Sequence, residues 1–211
     1  MAYDIEEQES IAEAKAFWKE YGSTLINSVL VVVLGLAGWN GWRWWQQREA
    51  AQATGLYDHY QQAVIGGDAK GAREISATLI DQFSGTAYAS LAELEQARAS
   101  FDGGDLTAAR AQLRWVVEHG ATKEFQAIAR ERLAGLLLDD KAYDEALALL
   151  RDEPPAAYAG RFADRRGDIL AAQGKAAEAR KSYDAALEAL SAQDPLRATI
   201  ETKRNALPSG S

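Results

Sequence analysis

Few side chains in this chain could carry out chemistry, and they are scattered along its 211 residues. There is no cysteine, so thiolate catalysis and disulfides are excluded. The two histidines, His59 and His119, have no carboxylate or cysteine companions at metal-ligand spacing. Asp139 and Asp140 form a carboxylate pair, but they stand before a turn, where solvated acids are common. We therefore expect no enzymatic activity, no metal and no cofactor.

Two glycine pairs, Gly66-Gly67 and Gly103-Gly104, could suggest phosphate-binding loops. Neither pair precedes a Lys-Ser/Thr dipeptide or follows a strand pattern, as a nucleotide-binding loop would. The formal net charge of -8 also disfavours a general nucleic-acid binder, which needs a basic face. Nucleotide and nucleic-acid binding are therefore both disfavoured.

The glycine pairs instead mark a sequence repeat. Four turn-like stretches share an alanine at the same position, at spacings of 37, 37 and 33 residues: Ala72, Ala109, Ala146 and Ala179. A period near 34 residues, with a turn before a small residue, is typical of tetratricopeptide repeats. Three units have a second small residue 12 positions earlier, where the facing helix crosses closely: Ala97, Ala134 and Gly167.

The first repeat departs from this pattern. Tyr60 occupies the place of the small facing residue, and Ser76 stands where the other units have a large residue. In the turns, we expect a glycine in the left-handed conformation to close one helix, and Asp68 and Asp105 to cap the next. The sequence thus predicts an all-α chain, with a tetratricopeptide-like α-solenoid at residues 46–207, a capping helix near residues 195–205, and a tail at 208–211.

An apolar segment precedes the repeats. Residues 25–42 carry no formal charge, and a bilayer core about 30 Å thick needs roughly 20 helical residues. The segment predicts a single transmembrane helix at residues 24–45, rather than a buried helix or a cleaved signal. An aromatic and basic belt ends it, which is typical of a membrane interface: Trp39, Trp42, Arg43, Trp44 and Trp45. Two basic residues flank each side of the span, so charge alone leaves its orientation open.

Residues 1–23 form an acidic tail with apolar residues at helical spacing: Ile11, Ala14, Phe17, Trp18 and Tyr21. An amphipathic helix at the membrane surface and a helix that docks on a partner both fit this pattern. The sequence does not separate these two possibilities.

A solenoid of this kind usually binds partners in a concave groove lined by the first helix of each pair. Helical spacing predicts ten groove residues: Leu91, Leu94, Arg98, Phe101, Ile128, Glu131, Leu138, Arg161, Asp164 and Asp168. Some of them could instead pack against a neighbouring or capping helix, and both readings stay open here.

The order of these features resembles the YfgM family of ancillary subunits of the bacterial SecYEG translocon. The resemblance rests on an acidic tail, AKAFWKEYG at residues 14–22, GWNGWRWW at 38–45, the repeats, and KRNAL at 203–207. It covers essentially the whole chain.

The resemblance implies a single-pass protein of the bacterial inner membrane, with a cytoplasmic N-terminus and periplasmic repeats. It implies three partners besides the lipid bilayer: the SecYEG translocon, a membrane-anchored periplasmic chaperone of the PpiD type, and exported polypeptides. It implies no cofactor. Two other functions fit the same elements: a membrane-anchored structural scaffold for envelope assembly or division, and, with inverted topology, a cytosolic adaptor.

Overall fold

The computed structural model describes the backbone of residues 2–208, and the side chains of residues 15, 18–21, 27 and 30–208. These residues form α-helices and one 3-10 turn, with no strand among them, so the predicted all-α class is confirmed. The helices are α1 Ala2–Ile65, α2 Ala69–Gln82, α3 Ala87–Asp102, α4 Leu106–His119, α5 Lys123–Asp139, α6 Tyr143–Leu149, α7 Ala159–Ala172, α8 Ala176–Ala189 and α9 Leu196–Ala206, with the 3-10 turn at Ala156–Tyr158.

The chain divides into two compact units, one up to residue 49 and one from residue 50 onward. In the second unit, helices α3 to α8 pack as antiparallel pairs, and α3, α5 and α7 also pack on one another. This arrangement is the stack of helical hairpins that the repeat spacing predicts.

The turns between paired helices follow the predicted chemistry. Gly67, Gly104 and Gly174 have positive φ angles of 74°, 81° and 77°, and Lys141 takes the same conformation in the third repeat, with φ 61°. Side chains with a Cβ atom rarely adopt this conformation, which explains why three of the four turns use glycine.

The two predicted helix caps are present. The Asp68 carboxylate accepts a hydrogen bond of 2.8 Å from the Gly71 amide, and the Asp105 carboxylate accepts one of 3.0 Å from the Ala108 amide. Each bond satisfies a helical N–H that has no partner within its own helix.

The repeat alanines are all buried, at 2% exposure or less: Ala72, Ala109, Ala146 and Ala179. Gly167, a small residue on a facing helix, shows why size matters here. A Cβ atom built on Gly167 would lie 2.5 Å from Cε1 of Tyr183, so the tyrosine ring occupies the space of the missing side chain. The small residues therefore set how closely the paired helices approach.

The same spacing recurs where the first repeat departs from the pattern. Gly167 and Tyr183 are 16 residues apart, and so are Tyr60 and Ser76. The fourth repeat places the small residue on the first helix and the tyrosine on the second, while the first repeat reverses the two. Tyr60 and Ser76 are both buried. The exchange keeps the summed side-chain volume roughly constant, which close-packed interiors tolerate best.

The predicted capping helix is α9, Leu196–Ala206. Its Ile200 is fully buried in the last apolar cluster, which includes Tyr183 and Leu187 of α8. Arg204 also donates a hydrogen bond of 3.0 Å to the Asp184 carboxylate. The helix thus covers the apolar face that the last repeat would otherwise expose.

In the first unit, the described large apolar side chains between Leu30 and Trp45 are exposed. Within the part of the chain that the structure describes, no helical stretch combines the length and apolar character that a membrane span requires. The predicted span at residues 24–45 includes residues 24–26, 28 and 29, whose side chains lie outside that part, so it stays a prediction. Ile11, Ala14 and Phe17 of the amphipathic tail also lie outside it, while Trp18 and Tyr21 are exposed.

Candidate partner-binding surface

Two concavities lie along helix α3 in the second unit. The first has a volume of about 390 Å³ and lies among α3, α5 and α7, with Phe101, Arg132, Asp139 and Arg165 in its wall. The second has a volume of about 570 Å³ and lies between α3 and the end of α1, with Val64 and Arg73 in its wall. Arg98 and Asp102 line both concavities, which therefore adjoin at this ion pair of 3.6 Å.

Five of the ten predicted groove residues either line a concavity or pack half-buried against the apolar clusters. Arg98 and Phe101 are exposed and line the first concavity. Leu91, Ile128 and Leu138 are half-buried and pack against the apolar clusters. A ligand could therefore reach the first two side chains directly and only the edges of the other three.

Leu94 is buried and Arg161 is exposed, and neither lines a concavity. Leu94 is only 5% exposed and belongs to the central apolar cluster. Its side chain stabilises the fold and is not available to a ligand. Arg161 is exposed on helix α7 but does not line either concavity.

The three acidic groove residues lie in a charged cluster between helices. Arg165 donates hydrogen bonds of 2.9 and 2.6 Å to the Glu131 carboxylate. Lys203 of the capping helix donates bonds of 2.9 and 3.0 Å to Asp164, and one of 3.0 Å to Asp168. Glu131, Asp164 and Asp168 are thus paired across helices, which matches the reading that these residues pack against a neighbouring or capping helix.

The electrostatics of the cluster fit a structural role. Burial raises the pKa of Asp164 above its ordinary value, and the bond to Lys203 opposes that rise. Burial alone would lower the pKa of Lys203, but the bonds to Asp168 and Asp164 outweigh burial and raise it. The Tyr183 hydroxyl also donates a hydrogen bond of 2.9 Å to Asp168. The three carboxylates and the two cations, Arg165 and Lys203, attract one another across α5, α7 and α9, which helps to hold α9 in place.

Most residues of the concavities were missed by the sequence reasoning, among them Val64, Arg73, Arg132, Asp139 and Arg165. The repeat spacing contains a signal for Val64, because Val64, Phe101 and Leu138 are separated by 37 residues each. We call these three residues the apolar row. Val64 and Phe101 are about half exposed, at 50% and 48%. The row was missed because the first repeat was aligned by its small residues, and Tyr60 breaks that alignment.

The predicted aromatic belt is exposed in the first unit. The rings of Trp39 and Trp42 meet edge to face, with centroids 6.1 Å apart. The guanidinium of Arg48 lies 4.4 Å from the centre of the Trp44 ring, a cation–π distance. Trp45 and Arg43 are exposed as well. Indole rings beside arginines can place apolar surface in lipid and charge at headgroups.

The residues that could have suggested catalysis have packing or surface roles. His119 is exposed, and its ring stacks on Trp115 with centroids 5.2 Å apart. His59 is exposed, and Asp140 forms an ion pair with Arg110. Among the described residues, no group of three or more histidine, aspartate or glutamate side chains could hold a metal ion.

Comparison with known proteins places the chain in a family. A family model described as a tetratricopeptide repeat-like domain matches residues 15–209. A protein of Neisseria gonorrhoeae named ancillary SecYEG translocon subunit is 31% identical over 211 residues, which is 98% of this chain and 100% of the relative. No solved structure matches the chain at a significant level.

Proteins of the same name from two other bacteria are similar in length. The Haemophilus influenzae relative is 31% identical over 190 residues, covering 88% of this chain and 91% of the relative. The Escherichia coli relative is 28% identical over 185 residues, covering 86% and 87%. Together with the stacked helical hairpins and the capping helix, these matches show that the chain belongs to the family of ancillary SecYEG translocon subunits, which has a tetratricopeptide repeat-like domain.

Proposed function

We propose that this chain is a membrane-anchored interaction module of the bacterial inner membrane that serves as an ancillary subunit of the Sec translocon. In this role its periplasmic repeats link exported polypeptides to a membrane-anchored chaperone of the PpiD type. The names of its relatives support the association with SecYEG. The chaperone and the periplasmic location rest on the family resemblance.

One observation carries the membrane part of the proposal. The described large apolar side chains from Leu30 to Trp45 are each more than half exposed. Such a surface is unfavourable in water, and a bilayer would remove it from water along its whole length. The tryptophans and Arg43 at its end would then lie at the headgroups.

The solenoid supports the interaction part of the proposal. Its first helices carry adjoining concavities with apolar, basic and acidic side chains, a mixture that suits a polypeptide ligand. The anchor would hold this surface near the channel exit and raise its effective concentration there. Among the predicted groove residues, Arg98 and Phe101 are the accessible contacts that support this role.

The two alternatives differ from the proposal either in their partners or in the side of the membrane on which the repeats lie. A structural scaffold for envelope assembly or division would contact stable envelope proteins but no exported chains. A cytosolic adaptor would have its repeats on the opposite side of the membrane.

Affinity purification from detergent-solubilised inner membranes tests the proposal against the scaffold. The full-length tagged chain should retain SecY and a membrane-anchored periplasmic chaperone. Crosslinking before lysis should add nascent exported polypeptides. Recovery of division or envelope-assembly proteins without SecY would contradict the proposal and favour the scaffold. A tagged single-pass protein of unrelated function, purified in parallel, controls for abundant membrane proteins.

A further inference from the structure

The apolar row is an unusual feature of the second unit. Among its described residues, the exposed large apolar side chains are Val64, Ile65, Phe101 and Leu106. Val64 and Phe101 belong to the row, Ile65 is adjacent to it in sequence, and Leu106 begins the helix after Phe101. The third member, Leu138, is half-buried at the end of α5. Exposed apolar surface in this unit therefore concentrates where the first helices of successive repeats end.

The spacing between members of the apolar row indicates which secondary structure a ligand would have. Packed helices usually lie about 8–10 Å apart, and helices packed at that distance would separate successive members of the row by about the same amount. Seven residues of an α-helix span about 10.5 Å and return to nearly the same face. Side chains on one face of an extended strand are only about 6.7 Å apart. A helix that crosses the repeats can therefore contact neighbouring row residues at positions i and i+7, whereas a strand does not match.

One exposed arginine in the wall of each concavity lacks a carboxylate partner among the described residues. Arg132 is exposed, and its guanidinium donates one long hydrogen bond of 3.4 Å to the Leu94 carbonyl. Arg73 is also exposed and donates a bond of 3.1 Å to the Ala69 carbonyl. Within residues 50–208, neither arginine has a carboxylate at ion-pair distance. Both guanidinium groups can therefore pair with a partner carboxylate.

Most carboxylates in the same walls are already engaged. Asp102 pairs with Arg98, the Asp105 carboxylate caps α4, and Glu95 accepts a hydrogen bond of 3.0 Å from the Tyr57 hydroxyl. Asp139 is the exception, at the far end of the first concavity. The walls together hold four arginines and four carboxylates, so their formal charges balance, and Arg132 is the exposed cation in the same wall as Phe101 that has no carboxylate partner within residues 50–208.

We propose that the apolar row, together with Arg132, binds an amphipathic helix of another protein. This helix carries apolar residues at heptad spacing and an aspartate or glutamate that pairs with Arg132. The inference rests on the proposed function in one respect, since it gives that interaction module the kind of segment it recognises.

Site-specific photo-crosslinking in cells tests the shape of the ligand. A photoreactive phenylalanine analogue is placed in the full-length chain at position 64 or 101, and at Ala111 as the control, an exposed residue on the second helix of the same hairpin as Phe101. Crosslinked peptides are then mapped by mass spectrometry. We expect positions 64 and 101 to reach one partner helix at sites about seven residues apart. Mapping to unrelated segments, or equal yield at position 111, would overturn the proposal.

Charge substitution tests the acidic character of the ligand. Arg132→Glu should lower the crosslink yield at position 101 about tenfold, because a favourable charge pair becomes repulsive. Arg132→Lys should keep most of the yield, and Arg151→Glu, at an exposed site outside both concavities, should leave it unchanged. An unchanged yield in Arg132→Glu would overturn the assignment of an acidic helix.

Recovery of SecY with the wild-type chain separates this proposal from the functional one. If SecY is retained but the crosslinks fall outside a heptad pattern, the acidic helix is wrong and the translocon role stands. If SecY is lost but the crosslinks map to one acidic helix, the translocon role is wrong and the binding surface stands.

Discussion

At the residue scale, small side chains in the repeats determine how closely the helices pack. Gly167 lies against the Tyr183 ring, with no room for a Cβ atom between them. Gly135, on helix α5, is less crowded, because a Cβ atom there would lie 3.3 Å from the Arg165 guanidinium carbon, which would need to shift by only a few tenths of an ångström. Two glycines in neighbouring repeats therefore differ in their tolerance of alanine.

Gly167→Ala should lower the free energy of unfolding by about 2 kcal/mol, because the ring or the helix must move. Gly135→Ala, the matched control, should be neutral or stabilising by up to about 1 kcal/mol, because alanine favours the helix. Adding Tyr183→Leu to Gly167→Ala should restore part of the loss, since the second repeat pairs Ala97 with Leu113. Urea denaturation of the purified chain measures all three. Equal effects of the two glycine substitutions would contradict this packing.

A buried carboxyl group gives the fold a pH dependence. Glu93 of α3 is 5% exposed and accepts a hydrogen bond of 2.6 Å from the Ser76 hydroxyl. Burial raises its pKa above the ordinary 4.5, and the Ser76 bond opposes part of that rise. The folded state therefore binds a proton more tightly than the unfolded state. The stability contributed by Glu93 falls as the pH rises from about 4.5 through the raised pKa.

Glu93→Gln should remove this pH dependence. Relative to wild type, the variant should gain stability at neutral pH and lose that advantage as the pH falls toward 4.5. The exposed Glu124 is a contrast, because a hydrogen bond with Thr122 lowers its pKa. Glu124→Gln should therefore change the slope of folding stability against pH in the direction opposite to Glu93→Gln. Urea denaturation across this pH range gives both slopes. A constant difference between Glu93→Gln and wild type would show that Glu93 ionisation does not affect folding.

At the element scale, the capping helix α9 is held by charge as well as by apolar packing. Lys203 reaches Asp164 and Asp168, and its side chain is 32% exposed. Lys203→Ala should lower the free energy of unfolding by about 2 kcal/mol, between the values typical of exposed and of buried ion pairs. Limited proteolysis should also cut α9 sooner.

Lys181→Ala is the matched control for the capping helix. Lys181 is exposed on helix α8 and forms no ion pair in the described part of the chain. Its substitution should change stability by less than about 0.5 kcal/mol. If Lys203→Ala behaved in the same way, apolar contacts such as those of Ile200 alone would hold α9.

The sequence predicted the elements better than their contacts. The alanine spacing, the turn glycines and the caps Asp68 and Asp105 are local signals, and each depends on neighbouring residues in the chain. The exchange of Tyr60 and Ser76 involves residues on two helices. Comparing the repeats one position at a time therefore does not reveal it. Leu94 was assigned to the groove because helical spacing gives the face of a helix but not the depth of each residue on that face.

The candidate site was only partly predictable for the same reason. Arg98 and Phe101 line the first concavity, while Glu131, Asp164 and Asp168 pair with Arg165 and Lys203 from other helices. Arg132 was missed because the repeat alignment compares equivalent positions, and the equivalent residue one repeat earlier is Glu95. The ion pairs that join helices in this charged cluster link residues 34 to 39 positions apart, and their partners follow from the packed structure alone.

At the scale of the whole molecule, the proposed function requires a repeat domain on the periplasmic side of the inner membrane. The membrane part of that claim depends on the exposed apolar run between Leu30 and Trp45. The side of the membrane depends on the family, because two basic residues flank each side of the predicted span.

Protease accessibility in spheroplasts tests this claim most directly. One epitope tag is placed after residue 211, and a second version of the chain carries the tag at its N-terminus. Added protease should remove the C-terminal tag from intact spheroplasts and leave the N-terminal tag and a cytosolic marker protected. A C-terminal tag that stays protected until the spheroplasts are lysed would contradict the claim and place the repeats in the cytosol.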